Sequence, residues 1–262
     1  MIPLVTSARQ RLTVGIVGVG RMGLPICARL ADNGFAVVAT DVRPEAQAAV
    51  LDVGAEWVDD VAELGERCHV AITVLPGPTA VTAARDALIA ALSRGSTWID
   101  MSTATPGIAG EIAEVARRHG IRTLDAPMGG GPVQARDGRL VAFVGASSAD
   151  LESQREVLAA VAGTILHVGA VGSGYAVKLL VNLLWFGQAI ASAEVLALAV
   201  RAGLNPETVR LATQQSAAAS RFMEDDARAL MRGEDLTSFS LAGCVEELSN
   251  VVTLGSELGV PL

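Results

Sequence analysis

The sequence predicts an α/β fold: a doubly wound parallel sheet followed by an all-α domain. Three observations predict it. Short runs rich in Val, Ile and Thr alternate with amphipathic stretches up to about residue 168, a glycine-patterned turn closes the first run, and beyond Gly174 only helical signals remain. With 262 residues and 51% hydrophobic content, the chain can build two modest domains with sizeable cores. We set them at 1–170 and 171–262, with the boundary in the glycine-rich segment Gly169–Gly174.

Each element has its own signal. Strands are expected to end near Val17, Thr40, Val74, Asp100 and Asp125, with helices over about Met22–Asn33, Pro44–Val53, Thr79–Ser93 and Pro106–His119 between them. Such alternation gives a parallel sheet covered on both faces by helices. Leu140–Val144 and Ile165–Val168 extend the sheet, with a helix near Ala149–Val161 separating them. A long helix follows over about Ser173–Ala202, and Gly203 closes it as a C-cap. Asn205 caps the next helix with Pro206 in its first turn. Further helices are expected near Ser220–Arg232 and Leu241–Leu258, and Met1–Gln10 reads as a loose leader.

Charge and cysteine usage exclude several classes. Asp+Glu 28 against Lys+Arg 20 gives a net charge of -8, so there is no basic face for nucleic acid or anionic lipid. Cys27, Cys68 and Cys244 are scattered, which fits neither a disulfide framework nor a zinc site. No metal is expected, and the chain reads as cytoplasmic. Leu179–Ala193 carries no charge and approaches the ~20 apolar residues that a bilayer requires. A second apolar run follows Glu194 up to Arg201, but Asn182, Gln188, Ser192 and Glu194 interrupt the whole stretch, so it reads as a helix buried between domains or subunits. A helix apolar most of the way round must be covered, which points to a homodimer or homotetramer.

Gly18-Val19-Gly20-Arg21-Met22-Gly23 is a GxGxxG turn at the first strand–helix junction. Gly18 permits the tight turn, Gly20 lets the backbone approach a pyrophosphate, and Gly23 lets helix pack on strand. The helix start supplies N–H groups and a positive dipole end to the phosphates. Asp41 ends the second strand, where a carboxylate accepts the ribose hydroxyls and favours NAD over NADP. Arg43, two residues on, could instead hold a 2′-phosphate, which leaves NADP possible. The plain alternative is a glycine-rich turn without a ligand.

Ligands of an open parallel sheet lie beyond the carboxyl ends of its strands. Leu75-Pro76-Gly77-Pro78 could cover the cofactor there or form an ordinary turn. Ser102 and Thr103 offer hydroxyls to nicotinamide or substrate, or cap the next helix, a role that Thr105 before Pro106 fits best. Gly129, Gly130 and Gly131 present backbone N–H groups suited to a carboxylate, or make a flexible turn. Lys178 and Asn182 share one helical face at i, i+4. Lys178 is the one lysine among 20 basic residues. Arginine holds its proton near neutral pH, whereas a partly desolvated lysine can release it. His69, His119 and His167 lie outside the strand-end motifs. That disfavours a histidine-based hydroxyacid dehydrogenase and strengthens Lys178 as the acid/base.

From about Leu12 to Leu262 the chain resembles the β-hydroxyacid dehydrogenases, the family of 3-hydroxyisobutyrate dehydrogenase and tartronate semialdehyde reductase. The resemblance rests on GVGRMG at Gly18–Gly23, LP at Leu75–Pro76, DMSTATP at Asp100–Pro106, DAPMGGGPVQARDGRL at Asp125–Leu140, GAVGSGYAVKLLVN at Gly169–Asn182 and ELGVPL at Glu257–Leu262. It implies a Rossmann domain, a long interdomain helix and a helical domain like that of 6-phosphogluconate dehydrogenase, which makes the dimer. It implies Lys178 as catalytic acid/base, substrate held by Gly129–Gly131 and Asn182, and cofactor touched by Leu75, Pro76 and Thr103. The expected reaction interconverts a small β-hydroxyacid and its semialdehyde or keto form with NAD(P). Two departures stand out: Gly129 replaces the family's usual serine, and Glu246-Glu247 stands where Lys-Asp is common. An imine reductase on the same scaffold and a non-catalytic NAD(P)-binding protein are the alternatives.

Overall fold

The computed structural model describes residues 12–234 and 241–262. The leader expected over Met1–Gln10 lies outside them. Two compact units are present, Met1–Lys178 and Leu179–Leu262.

The first unit opens with β1 (Thr13–Val17), α1 (Gly23–Asp32) and β2 (Ala36–Thr40). A single turn of 3-10 helix at Pro44–Ala46 leads into α2 (Gln47–Asp52), then β3 (Glu56–Trp57), α3 (Val61–Arg67) and β4 (Val70–Thr73). Next come α4 (Pro78–Ala91), β5 (Thr97–Asp100), α5 (Pro106–Arg118), β6 (Arg122–Asp125), β7 (Met128–Gly129) and α6 (Pro132–Arg136). β8 (Leu140–Gly145), α7 (Ser148–Val161) and β9 (Ala162–Gly169) complete the sheet. Its order is β3-β2-β1-β4-β5-β6-β8-β7, with β9 also on β8. Alternate strand residues feed two cores. Val14, Ile16, Val37, Ala39 and Ile72 pack with Ile26 and Leu30 of α1 on one face. Val17, Val38, Ala71 and Trp98 pack with Leu64, Leu88 and Ile112 on the other. Two buried faces are why these strands read as continuous apolar runs.

Several elements differ from expectation. β8 runs antiparallel to β6 and β7, so the sheet is parallel only from β3 to β6 and again between β8 and β9. The cause is the connection. Between the end of β7 at Gly129 and the start of β8 at Leu140 the chain has room only for the 5-residue α6 and short turns, less than the dozen or so residues of a parallel crossover. α3 is a helix that apolar periodicity did not show. Asp60 caps it by accepting the Glu63 N–H at 2.8 Å. Gly65 brings it close to α4, where a Cβ would sit 2.6 Å from that of Ala91.

α8 (Ser173–Arg201) starts in the first unit and continues into the second, which adds α9 (Pro206–Gln214), a π turn at Phe222–Asp226, α10 (Ala227–Met231) and α11 (Leu241–Leu258). Gly203 has φ 78, as a C-terminal glycine requires. Asn205 caps α9 by accepting the Thr208 N–H at 3.1 Å. In this unit Leu179 packs with Val251 and Leu254, and Leu196 with Phe222 and Met223. Among the described residues α8 is the one helix long and apolar enough to cross a membrane, yet only 22% of its apolar window is buried.

Candidate active site

The phosphate turn is built by glycine geometry. Gly18 has φ 92 and donates its N–H to Thr40 O at 2.9 Å, joining β1 to β2 at the turn. A Cβ on Gly23 would lie 1.9 Å from Gly18 O, so only glycine lets α1 close onto the turn. Gly20 is different: the nearest atom to a Cβ there is Arg43 Nη2 at 3.8 Å, and that position faces open space. Met22 holds the N-cap position of α1 without a side-chain cap, which leaves that end of the helix suited to an anion.

These residues line a cleft of ≈730 Å³. Gly18, Gly20, Arg21, Met22, Gly23, Asp41, Arg43, Leu75 and Pro76 all contribute to its wall. Thr103 is not part of that lining. Val42, Asp59 and Asp60 are wall residues that motif reading missed; the Asp60–Glu63 capping pair was the available signal for this loop. Asp41 is tied to the turn by accepting the Val19 N–H at 2.8 Å. Its other partner is Arg43, whose N–H and Nε each donate to Oδ1 at 3.0 Å and whose Nη2 donates to Oδ2 at 3.1 Å. Burial pushes the Asp41 carboxyl up, but hydrogen bonds from Arg43 and Val19 outweigh it and hold the group below the usual range. An open glycine cradle, an uncapped helix start and a carboxylate at the next strand end fit a dinucleotide.

In the later loops Ser102 and Thr105 have defined surroundings. Ser102 is buried; its Oγ accepts the Leu75 N–H at 2.9 Å, and its own N–H donates to Asp100 at 2.8 Å. It therefore ties the β4 and β5 loops together. Thr105 occupies the N-cap position of α5 in extended conformation, but its side chain makes no cap hydrogen bond, contrary to the expected cap. Of the three loop glycines, Gly129 lies in β7 opposite Val141. Gly130 has φ 107. Gly131 donates its N–H to Gln134 Oε1 at 3.0 Å, so that donor is already engaged.

Lys178 and Asn182 are 8% and 4% exposed on successive turns of α8. Asn182 donates through Nδ2 to the carboxylate of Glu247, the second residue of the unusual acidic pair. The histidines have structural surroundings. His69 Nδ1 accepts the Thr13 N–H at 3.1 Å, His167 Nε2 lies 2.8 Å from Ala146 O, and His119 stands at the C-cap of α5.

A further cluster escaped the sequence reading. Asp100 and Asp125 end neighbouring strands in register. Tyr175 donates its phenol O–H to Asp100 Oδ2 at 2.5 Å, and Asp125 accepts the Gly172 and Tyr175 N–H groups at 2.7 and 3.0 Å. Burial pushes Asp125 up to about 6 against the pull of those N–H donors. Burial, then the nearby Asp100 charge, pushes the Tyr175 phenol well above its ordinary value. Two strand-terminal aspartates and the chain's one tyrosine were the signal that could have found this cluster.

Comparison with known proteins decides the family. Residues 13–169 match the family model for the NAD binding domain of 6-phosphogluconate dehydrogenase. Residues 172–262 match that described as NAD-binding of NADP-dependent 3-hydroxyisobutyrate dehydrogenase. The chain is 32% identical over 257 residues to 2-(hydroxymethyl)glutarate dehydrogenase of Eubacterium barkeri, covering 97% of this chain and 85% of that one. The chain belongs to the β-hydroxyacid dehydrogenase family. Bovine mitochondrial 3-hydroxyisobutyrate dehydrogenase is 33% identical over 206 residues, 77% of this chain and 61% of the bovine protein. Among solved structures, Mycobacterium tuberculosis 3-hydroxyisobutyrate dehydrogenase with L-serine has a TM-score of 0.89 at 27% identity, covering 96% of this chain and 89% of that one. This β-hydroxyacid dehydrogenase family member is an NAD(P)-dependent oxidoreductase with a Rossmann domain followed by a helical domain.

Proposed function

We propose that the protein oxidises a small β-hydroxyacid to its semialdehyde or keto form, and catalyses the reverse reduction, with NAD preferred over NADP. The observation that carries the reading is Lys178, the chain's sole lysine, nearly buried and one helical turn before Asn182. Hydride exchange at carbon is the chemistry that a bound nicotinamide supplies. The protein's own task is the proton. The Lys178 amine takes it from the substrate hydroxyl during oxidation and returns it during reduction. Asp41 receives the ribose hydroxyls, Gly20 leaves room for the pyrophosphate, and Leu75 and Pro76 close the cleft wall. Ser102, Gly129–Gly131 and Asn182 are assigned to substrate. Thr103, which does not line that cleft, is also assigned to the cofactor. The exposed leucines of α8 support a homo-oligomer, and the scattered thiols support a cytoplasmic setting.

The test follows absorbance of the reduced nicotinamide with NAD or NADP across a panel of 3-hydroxyacids, including 3-hydroxyisobutyrate, serine and bulkier β-hydroxyacids. Turnover with one of them is expected. Lys178→Ala and Lys178→Arg should each lose about 10²–10⁴-fold in kcat while still binding NADH. Reduction of cyclic imines with no hydroxyacid oxidation would replace this reading, as would tight NADH binding without turnover on any substrate.

A further inference from the structure

Neither cofactor binding nor the proton transfer uses the Asp100–Tyr175–Asp125 cluster. Its three side chains are 4%, 1% and 2% exposed. Two carboxylates withdrawn from water are costly unless donors compensate them, and here the donors come largely from one place. The Tyr175 phenol, the Tyr175 N–H and the Gly172 N–H all belong to the first turn of α8 or the residue just before it. Asp125 thus acts as an N-terminal cap supplied by a distant strand, with its charge at the positive end of the helix.

The fit leaves little room for movement. A Cβ on Gly174 would lie 2.4 Å from Phe143 O and 2.7 Å from Asp125 Oδ2. One on Gly145 would lie 2.5 Å from Asp125 Oδ1. Both glycines let the start of α8 seat directly on the sheet. Lys178 follows Tyr175 by three residues, so it stands on the same side of the helix one turn along. It also closes the compact unit that contains the cleft.

We propose that Tyr175 and Asp125 are positioning residues for the Lys178 amine: by fastening the first turn of α8 to the ends of β5 and β6, they set where that amine meets the substrate hydroxyl. The inference rests on Lys178 being the acid/base. Tyr175 acts through the phenol bond to Asp100, and Asp125 acts through the backbone of the helix start.

The chain has one lysine and one tyrosine, so isotopically labelled lysine gives one side-chain resonance, that of Lys178. The experiment compares the parent chain with Tyr175→Phe, which keeps the ring and removes the donor, and with Asp125→Asn, which keeps the shape and removes the charge. Both should bind NADH within about twofold of the parent. Both should lose about 10- to 100-fold in kcat, since displacing a reacting group by about 1 Å costs about 100-fold, with a smaller change in substrate KM. The Lys178 resonance should move or broaden in both. A folded variant pair with kcat within about twofold of the parent and an unmoved lysine resonance would overturn the proposal. If one variant does not fold, the other decides by the same readouts. If neither folds, the cluster holds the fold rather than the amine, and the proposal also falls. Absence of hydroxyacid turnover in the parent would reject the functional reading, while the lysine resonance would still decide the positioning claim.

Discussion

Gly20 and Gly23 belong to one motif but should fail in opposite ways when each becomes alanine. At Gly23 the new Cβ would stand 1.9 Å from Gly18 O, where Cβ contacts do not fall under 3.0 Å. The obstacle is backbone, so the turn or the start of α1 must move by about 1 Å. Overpacking of this kind costs about 1–3 kcal/mol. For a chain of this size that lowers Tm by about 2–12 °C. At Gly20 the Cβ meets nothing closer than Arg43 Nη2 at 3.8 Å, and φ is not left-handed. Stability should therefore stay within about 0.5 kcal/mol. The methyl group would project toward the place reserved for the pyrophosphate, so NADH affinity should fall at least about tenfold, or about 1.4 kcal/mol. Thermal melts and NADH titration by fluorescence measure both quantities on the same samples. Gly20→Ala with unchanged NADH affinity would refute the assignment of the cradle, and Gly23→Ala with unchanged Tm would refute the packing argument.

Arg43→Ala releases Asp41 from its guanidinium. NADH should bind as well as before or tighter, and NADPH at least about tenfold more weakly, the loss expected for a charge-assisted hydrogen bond. Titrations with both nucleotides check this, and a tenfold loss of NADH affinity would contradict it. Asp125 has a folded-state pKa raised to about 6, above its ordinary 3.8, chiefly by burial. Its contribution to stability is therefore complete below about pH 4 and is lost as pH rises through about 6, on the order of 3 kcal/mol. The Tm advantage of the parent over Asp125→Asn should shrink between pH 4 and 6, and an advantage that grows with pH would reverse the sign. Leu184 is 65% exposed on α8, so Leu184→Glu should lower the mass found by light scattering. A parent chain already monomeric at working concentration would sink the homo-oligomer reading.

What could be read from the sequence was local. GxGxxG, Asp41 and Leu75-Pro76 declare themselves because each occupies a strand end, and strand ends converge on one edge of a parallel sheet. The cleft wall accordingly contains them. The Asn205 cap and the Gly203 stop were equally visible, since capping depends on residues three or four apart. Short elements were harder. α3 has 7 residues and its glycine serves contact with α4, so its apolar periodicity is too brief to count. The reversal at β8 depends on how far a five-residue helix can reach, and residue pattern says nothing of strand direction.

The sequence by itself determined the fold class and the dinucleotide turn, because these follow from periodicity and spacing, and it singled out Lys178 as the one lysine of the chain. Only the tertiary structure decided the partners of the polar side chains. Ser102 ties two loops together, Arg43 folds onto Asp41, and Asp125 caps a helix that begins 48 residues later at Ser173. A hydrogen bond is settled by which groups burial brings within about 3 Å, at whatever separation along the chain.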